Sequence, residues 1–196
     1  MSPKDWAILA QQAYTTAPTI GTEEGAARVV VSTVAGSRVL AIPGTNNLAC
    51  LEADVDALLF DAGPCGRVHA GIWHAFAAIR DVVLATGADV IVGHSEGATG
   101  GLYLAAQLCL AGKPPSEVHA FEPARASIDA ALAGIFQAHG VQVSVYHHGR
   151  DVVPMVPLPI PGEDWQHPAP VIGFGKPSSI FPNIEDHMIA AVIKDL

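Results

Sequence analysis

The spacing of apolar residues changes period several times along the chain, and each change marks an element. Residues 27–34 and 38–42 are rich in β-branched and apolar side chains and are separated by Ala35-Gly36-Ser37, a hairpin pattern. Ile72, Phe76, Ile79 and Val83 recur at helical spacing and predict one helix over 71–86. Residues 89–93, Asp-Val-Ile-Val-Gly, form a short, almost wholly apolar strand of the kind buried in parallel sheets. A long apolar helix is expected from about 96 to 111. It is followed by a strand at 118–121, a helix at about 126–139 and a strand at 141–147. Ser2-Pro3-Lys4-Asp5 reads as a helix start, with Ser as N-cap and Pro in the first turn, and that helix should run to about residue 13. Residues 153–170 are a Pro-rich loop, and 186–195 close the chain as a helix. Strands alternating with helices imply a mostly parallel sheet covered on both faces, with an early antiparallel hairpin. With no internal repeat and no second domain legible, residues 1–196 read as a single α/β domain.

Composition narrows the class. Half of the 196 residues are hydrophobic and only 15% are charged, too apolar for a disordered chain and suited to a large core. Nineteen acids against ten bases give a net charge of −9, which argues against a partner bound through phosphates and against anionic lipid surfaces. Cys50, Cys65 and Cys109 have no metal-type spacing and read as free thiols. Lys4 and Asp5 with an apolar run of only residues 7–10 do not make a signal peptide, so the expected location is cytoplasmic. The longest stretch without Asp, Glu, Lys or Arg, 130–149, holds Gln137, His139, Gln142, His147 and His148. It reads as a buried helix and strand, not a membrane anchor.

The chemistry centres on Gly93-His94-Ser95-Glu96-Gly97, a G-x-S-x-G sequence that ends a buried strand and opens a helix. A tight turn there leaves no room for side chains at Gly93 and Gly97 and exposes the Ser95 hydroxyl above the sheet. The helix N-terminus supplies backbone N–H groups and a positive dipole end to a developing oxyanion. A serine needs a base, and the base an orienting acid. In this turn's setting they follow in the order Ser, acid, His. Asp151, just past the strand ending near His147, fits the acid, with Glu122 as the rival. His187, at a loop-to-helix junction, fits the base, with His167 in the Pro-rich loop as the rival.

Six ordered segments then resemble the class 3 lipase family, the fungal triacylglycerol lipase type. They are Ala41-Ile42-Pro43-Gly44-Thr45, Val68-His69-Ala70-Gly71-Ile72, the segment 93–98, Phe121-Glu122-Pro123-Ala124-Arg125, His148-Gly149-Arg150-Asp151-Val152-Val153-Pro154-Met155-Val156-Pro157, and Asp186-His187. The resemblance implies a three-layer α/β-hydrolase fold with Ser95 as nucleophile, Asp151 as orienting acid and His187 as base. It also implies an oxyanion hole from Thr45 and the backbone N–H of Glu96, with Asp54 supporting the Thr45 hydroxyl. The implied activity is carboxylic ester hydrolysis through an acyl-enzyme, with no metal or organic cofactor. Partners would be a small-molecule or lipid ester and a transient lipid interface, without nucleic acid. Phospholipase or acyltransferase chemistry on the same residues, or a non-catalytic binding role, stand as alternatives.

This sequence departs from the family pattern in three places. Pro43 stands where the family has Arg, Glu96 where it has Leu, and Glu122 where it has Gly. The last two put carboxylates beside the nucleophile, and an unpaired one would oppose a second negative charge. Arg125 is the expected partner of Glu96. The lid-like segment 46–66 is short and acidic, with Glu52, Asp54, Asp56 and Asp61 among its apolar residues, which favours a soluble or medium-chain ester.

Overall fold

The computed structural model describes residues 1–45 and 58–196. The expected hairpin forms from β1 (Val30–Val34) and β2 (Ser37–Ile42), antiparallel, joined through Ala35 and Gly36 at φ 50° and 88°. Both residues at positive φ is the turn geometry that matches strand twist in a two-residue hairpin. A small hairpin not anticipated from the sequence pairs β3 (Leu59–Asp61) with β4 (Arg67–His69). The main ladder continues through β5 (Val90–His94), β6 (Glu117–Phe121), β7 (Gln142–His148) and β8 (Val171–Phe174). Among the described residues the six-stranded sheet runs β1-β2-β5-β6-β7-β8, parallel from β2 onward. β8 was not legible as a strand. It is a four-residue edge strand whose Val171 and Ile172 remain exposed, so it carries no buried-strand pattern.

Helices cover both faces. On one lie α1 (Pro3–Gln12) and the last helix, whose Trp6, Ala7, Ala10, Ile189 and Val192 pack on Val39, Ala41, Val90, Val92 and Phe121. Ser2 caps α1 in a reciprocal capping box with Asp5, which satisfies amides that the first turn leaves without partners. The other face carries α2 (Ala70–Ala77), α3 (Arg80–Thr86), α4 (Glu96–Leu110) and α5 (Ala131–His139), buried around Leu40, Ile42, Ile91, Leu102, Tyr103 and Phe76. This is a three-layer α/β arrangement with a mostly parallel sheet, the expected α/β-hydrolase architecture.

Three helix boundaries differ from the apolar pattern. The helix expected over 71–86 breaks at Ile79, which sits at φ −103°, ψ 0° and donates to Phe76 three residues back rather than continuing the four-residue ladder. α5 starts at Ala131 because residues 126–128 are taken up by other partners. Ser127 bridges Val68 and Gln166, and Ile128 donates to Arg67. The last helix, α6 (Ile189–Asp195), begins three residues after Asp186, leaving Asp186 and His187 in the turn before it.

Candidate active site

Ser95 stands between the end of β5 and the start of α4, as its sequence context implies, at φ 59° and ψ −132°. A non-glycine residue held there costs on the order of 1–3 kcal/mol, and the surroundings must over-determine it. They do so on three sides. Its N–H donates to the Phe121 carbonyl at the end of β6, 2.9 Å away. Its own carbonyl takes the amides of Ala98 and Thr99. Gly97 lies against the Pro43 carbonyl, where any Cβ would collide. Gly93 is still in the ladder, paired with Ile42 and Ala120.

The hydroxyl is engaged by His187, with Oγ and Nε2 2.9 Å apart. On the other side of the ring, Nδ1 is 2.6 Å from Asp151 Oδ2. A carboxylate can only accept, so Nδ1 carries the proton. Nε2 is left as the acceptor of the Ser95 hydroxyl. Asp151 follows β7, and its second oxygen, Oδ1, accepts the Val153 amide at 2.9 Å. All three side chains are buried, with exposures of 1% for Ser95 and 0% for Asp151 and His187. The two rival residues, His167 for the base and Glu122 for the acid, are engaged elsewhere. His167 donates through Nε2 to the Pro154 carbonyl, and burial holds its pKa below the ordinary histidine value. Glu122 accepts the His148 amide, and its carboxyl sits beside that of Asp151.

A partly buried chain of hydrogen bonds, not anticipated from the sequence, fixes His94. Its Nε2 lies 2.9 Å from the His187 carbonyl and must be the protonated nitrogen, because a carbonyl only accepts. Nδ1 then accepts from Tyr14 Oη at 2.6 Å, and Tyr14 in turn accepts the Gly44 amide at 2.9 Å. The ring must stay neutral in this arrangement. Burial, reinforced by the neighbouring His187, holds the His94 pKa well below the ordinary value, in agreement. Burial likewise pushes the Tyr14 phenol up to about 12. The chain thus links the turn after α1, the segment after β2, the end of β5 and the turn before α6. Gly44 approaches Ser95 so closely that a Cβ there would lie 2.7 Å from the Ser95 Cβ.

That approach places Thr45 directly after the residue that faces Ser95, and Glu96 is the first residue of α4. Helix geometry directs the first-turn amides of α4 out of its N-terminus, beside Ser95. Asp54 lies outside the described residues, as does most of the lid-like segment. Arg125, the expected partner of Glu96, donates to the Pro157 carbonyl.

Two acids beside the relay meet opposite environments. Asp186 accepts from the Arg150 and Ser178 amides and from Asn183 Nδ2. Burial pushes its carboxyl up, but those donors outweigh it and hold the pKa at about 2. Glu122 is 0% exposed at φ 52°, a conformation that favours glycine. Its Oε1 accepts the His148 amide at 2.7 Å, and the carboxyl sits beside that of Asp151. Burial first, and then Asp151, push its pKa well above the ordinary glutamate range.

No protein-family model and no curated protein matches the sequence. Solved structures do resemble it. A mono- and diacylglycerol lipase from Aspergillus oryzae superposes with a TM-score of 0.67 at 18% identity, over 96% of this chain and 85% of that one. A structure described for an unusual buried polar cluster in a family of fungal lipases gives 0.73 at 19%, over 95% and 83%. The Rhizomucor miehei lipase in its propeptide complex gives 0.59 at 19%, over 67% of this chain, which spans only 46% of that chain. Identities this low establish a shared fold: the fold is that of the fungal class 3 lipases.

Proposed function

We propose that this chain is a serine hydrolase of carboxylic esters, lipase-like or esterase-like, working through an acyl-enzyme. The observation that carries this reading is the continuous relay from Ser95 Oγ through His187 to Asp151, built on a strained strand-to-helix turn. Ser95 attacks the ester carbonyl while His187 Nε2 takes its proton. Asp151 holds the ring in the required tautomer and stabilises the imidazolium. The oxyanion forms at the α4 N-terminus, held by the Glu96 amide and by Thr45. His187 then protonates the departing alcohol, and water, activated by the same nitrogen, releases the acid.

Exposed apolar residues on the loops that carry Asp151 and His187 support an ester with a hydrocarbon acyl group. Leu158 and Ile160 on the loop after Asp151, Ile180 and Phe181 on the loop before His187, and Met188 beside it are all exposed. The fungal lipases that share the fold are named for triacylglycerol and for mono- and diacylglycerol. No helix among the described residues is long and apolar enough to cross a membrane.

A series of p-nitrophenyl esters of increasing chain length tests the proposal. Ser95→Ala and His187→Ala should each lower kcat by about 10⁴- to 10⁶-fold, as such relays do when a member is removed. His167→Ala should leave it within a few-fold. Hydrolysis that survives Ser95→Ala would contradict the assignment.

A further inference from the structure

We propose that Glu122 is a neutral carboxylic acid whose Oε2–H donates to the Asp151 carboxylate, making it a positioning residue for the acid that orients His187. The inference deepens the hydrolase reading and rests on it for its functional meaning, though its geometry stands without it.

Four observations converge on this residue. Glu122 follows β6, the strand between the one that carries Ser95 and the one that precedes Asp151. It is fully buried at φ 52°, where glycine would be unstrained, so this carboxyl is held in place at a backbone cost. One oxygen is spoken for, since Oε1 accepts the His148 amide at 2.7 Å. The other, Oε2, is buried and meets no donor among the described residues, and the Asp151 carboxyl beside it is itself an acceptor.

Two acceptors against each other inside a protein repel unless one carries a proton. Asp151 already accepts from Val153 and from His187 Nδ1, so its charge is well satisfied. Glu122 has a single amide and no other donor, so the proton belongs on Glu122 Oε2. Burial and the nearby carboxylates of Asp151 and Asp186 favour the protonated form, and only the His148 amide opposes it. Among the described residues no cation is among the groups that act on it. With Oε2 protonated, every contact becomes a donor–acceptor pair, and Asp151 gains a third hydrogen bond that fixes its plane. During turnover the neutral acid adds no second negative charge beside the imidazolium–carboxylate pair.

Carbon-13 NMR of protein labelled at the glutamate carboxyl carbons reads the proton directly, on resting protein without any ester. At neutral pH one glutamate carboxyl should resonate as the protonated acid, and that signal should be missing from Glu122→Gln. Glutamine can keep both contacts, accepting from His148 and donating through Nε2 to Asp151. Glycine relaxes the backbone and removes the donor. The low-field proton between His187 Nδ1 and Asp151 should therefore stay in place in Glu122→Gln. In Glu122→Gly it should move to lower field, because an Asp151 with fewer donors accepts more strongly. Turnover should follow the same order, nearly retained in Glu122→Gln and lower by roughly 10-fold or more in Glu122→Gly, the worth of one hydrogen bond to a charged group. Glutamates all ionised at neutral pH, or a His187 proton indifferent to Glu122→Gly, would overturn the proposal. A protein that passes both spectroscopic tests yet hydrolyses no ester would instead contradict the hydrolase reading alone.

Discussion

Ser95 and Glu122 both occupy backbone conformations that L-residues rarely adopt, and both lie at the C-terminal ends of neighbouring strands. Sequence disclosed the first and not the second. Ser95 was legible because two glycines flank it where an apolar strand gives way to a helix, a pattern with a steric cause. Glu122 showed only as a carboxylate in an unexpected place; its positive φ and its contact with Asp151 depend on three strands coming together. Tyr14 gave no signal at all, since its partners lie 30 and 80 residues away. Through Gly44, Tyr14 fixes the segment that delivers Thr45, which makes the Thr45 hydroxyl a second candidate oxyanion donor beside the Glu96 amide. Thr45→Val keeps the shape and the backbone N–H. It should lower kcat about 100-fold with little change in KM, the usual contribution of one such donor. A steady-state comparison on one soluble ester decides it, because an effect on KM alone would make Thr45 only a wall of the acyl site.

Elements with strong periodicity were legible in the sequence, and those shaped by partners elsewhere in the chain were not. β5 and α4 appear within a residue of expectation because both are almost entirely buried, and burial writes itself into an apolar run. α5 starts late because the segment before it pairs with Arg67 and Gln166, and nothing local records those contacts. The turn before α6 is similar. Asp186 gathers amides from 150 and 178 and the Asn183 side chain, and so ties the His187 turn to the loop after β7. Its depressed pKa carries a definite sign. Stabilisation from this carboxylate is fully present above the unfolded value near 4 and is lost as pH falls through about 2. Urea unfolding of Asp186→Asn against the parent should show the variant less stable at pH 6, with the gap closing toward pH 2. A gap independent of pH would mean that the Asp186 contacts act without its charge.

At the scale of the whole molecule, the parallel order β5-β6-β7 sets Ser95, Glu122 and Asp151 side by side, and the last helix closes over the same face to bring in His187. The turn that follows α1 completes the arrangement from the other end of the chain by supplying Tyr14 to His94. Sites in parallel α/β sheets gather at the strand C-termini, and the strand-to-helix turn around Ser95 carries the expected order Ser, acid, His, which is why Asp151 and His187 stand as candidates from the sequence alone. The central claim is that this relay makes Ser95 a nucleophile. Intact-mass analysis after treatment with a fluorophosphonate probe tests it most directly, without any assumption about the substrate. The account predicts one adduct, mapped to Ser95, absent in Ser95→Ala and slowed by orders of magnitude in His187→Ala. A parent protein that takes no adduct, or one labelled at another residue, would contradict it.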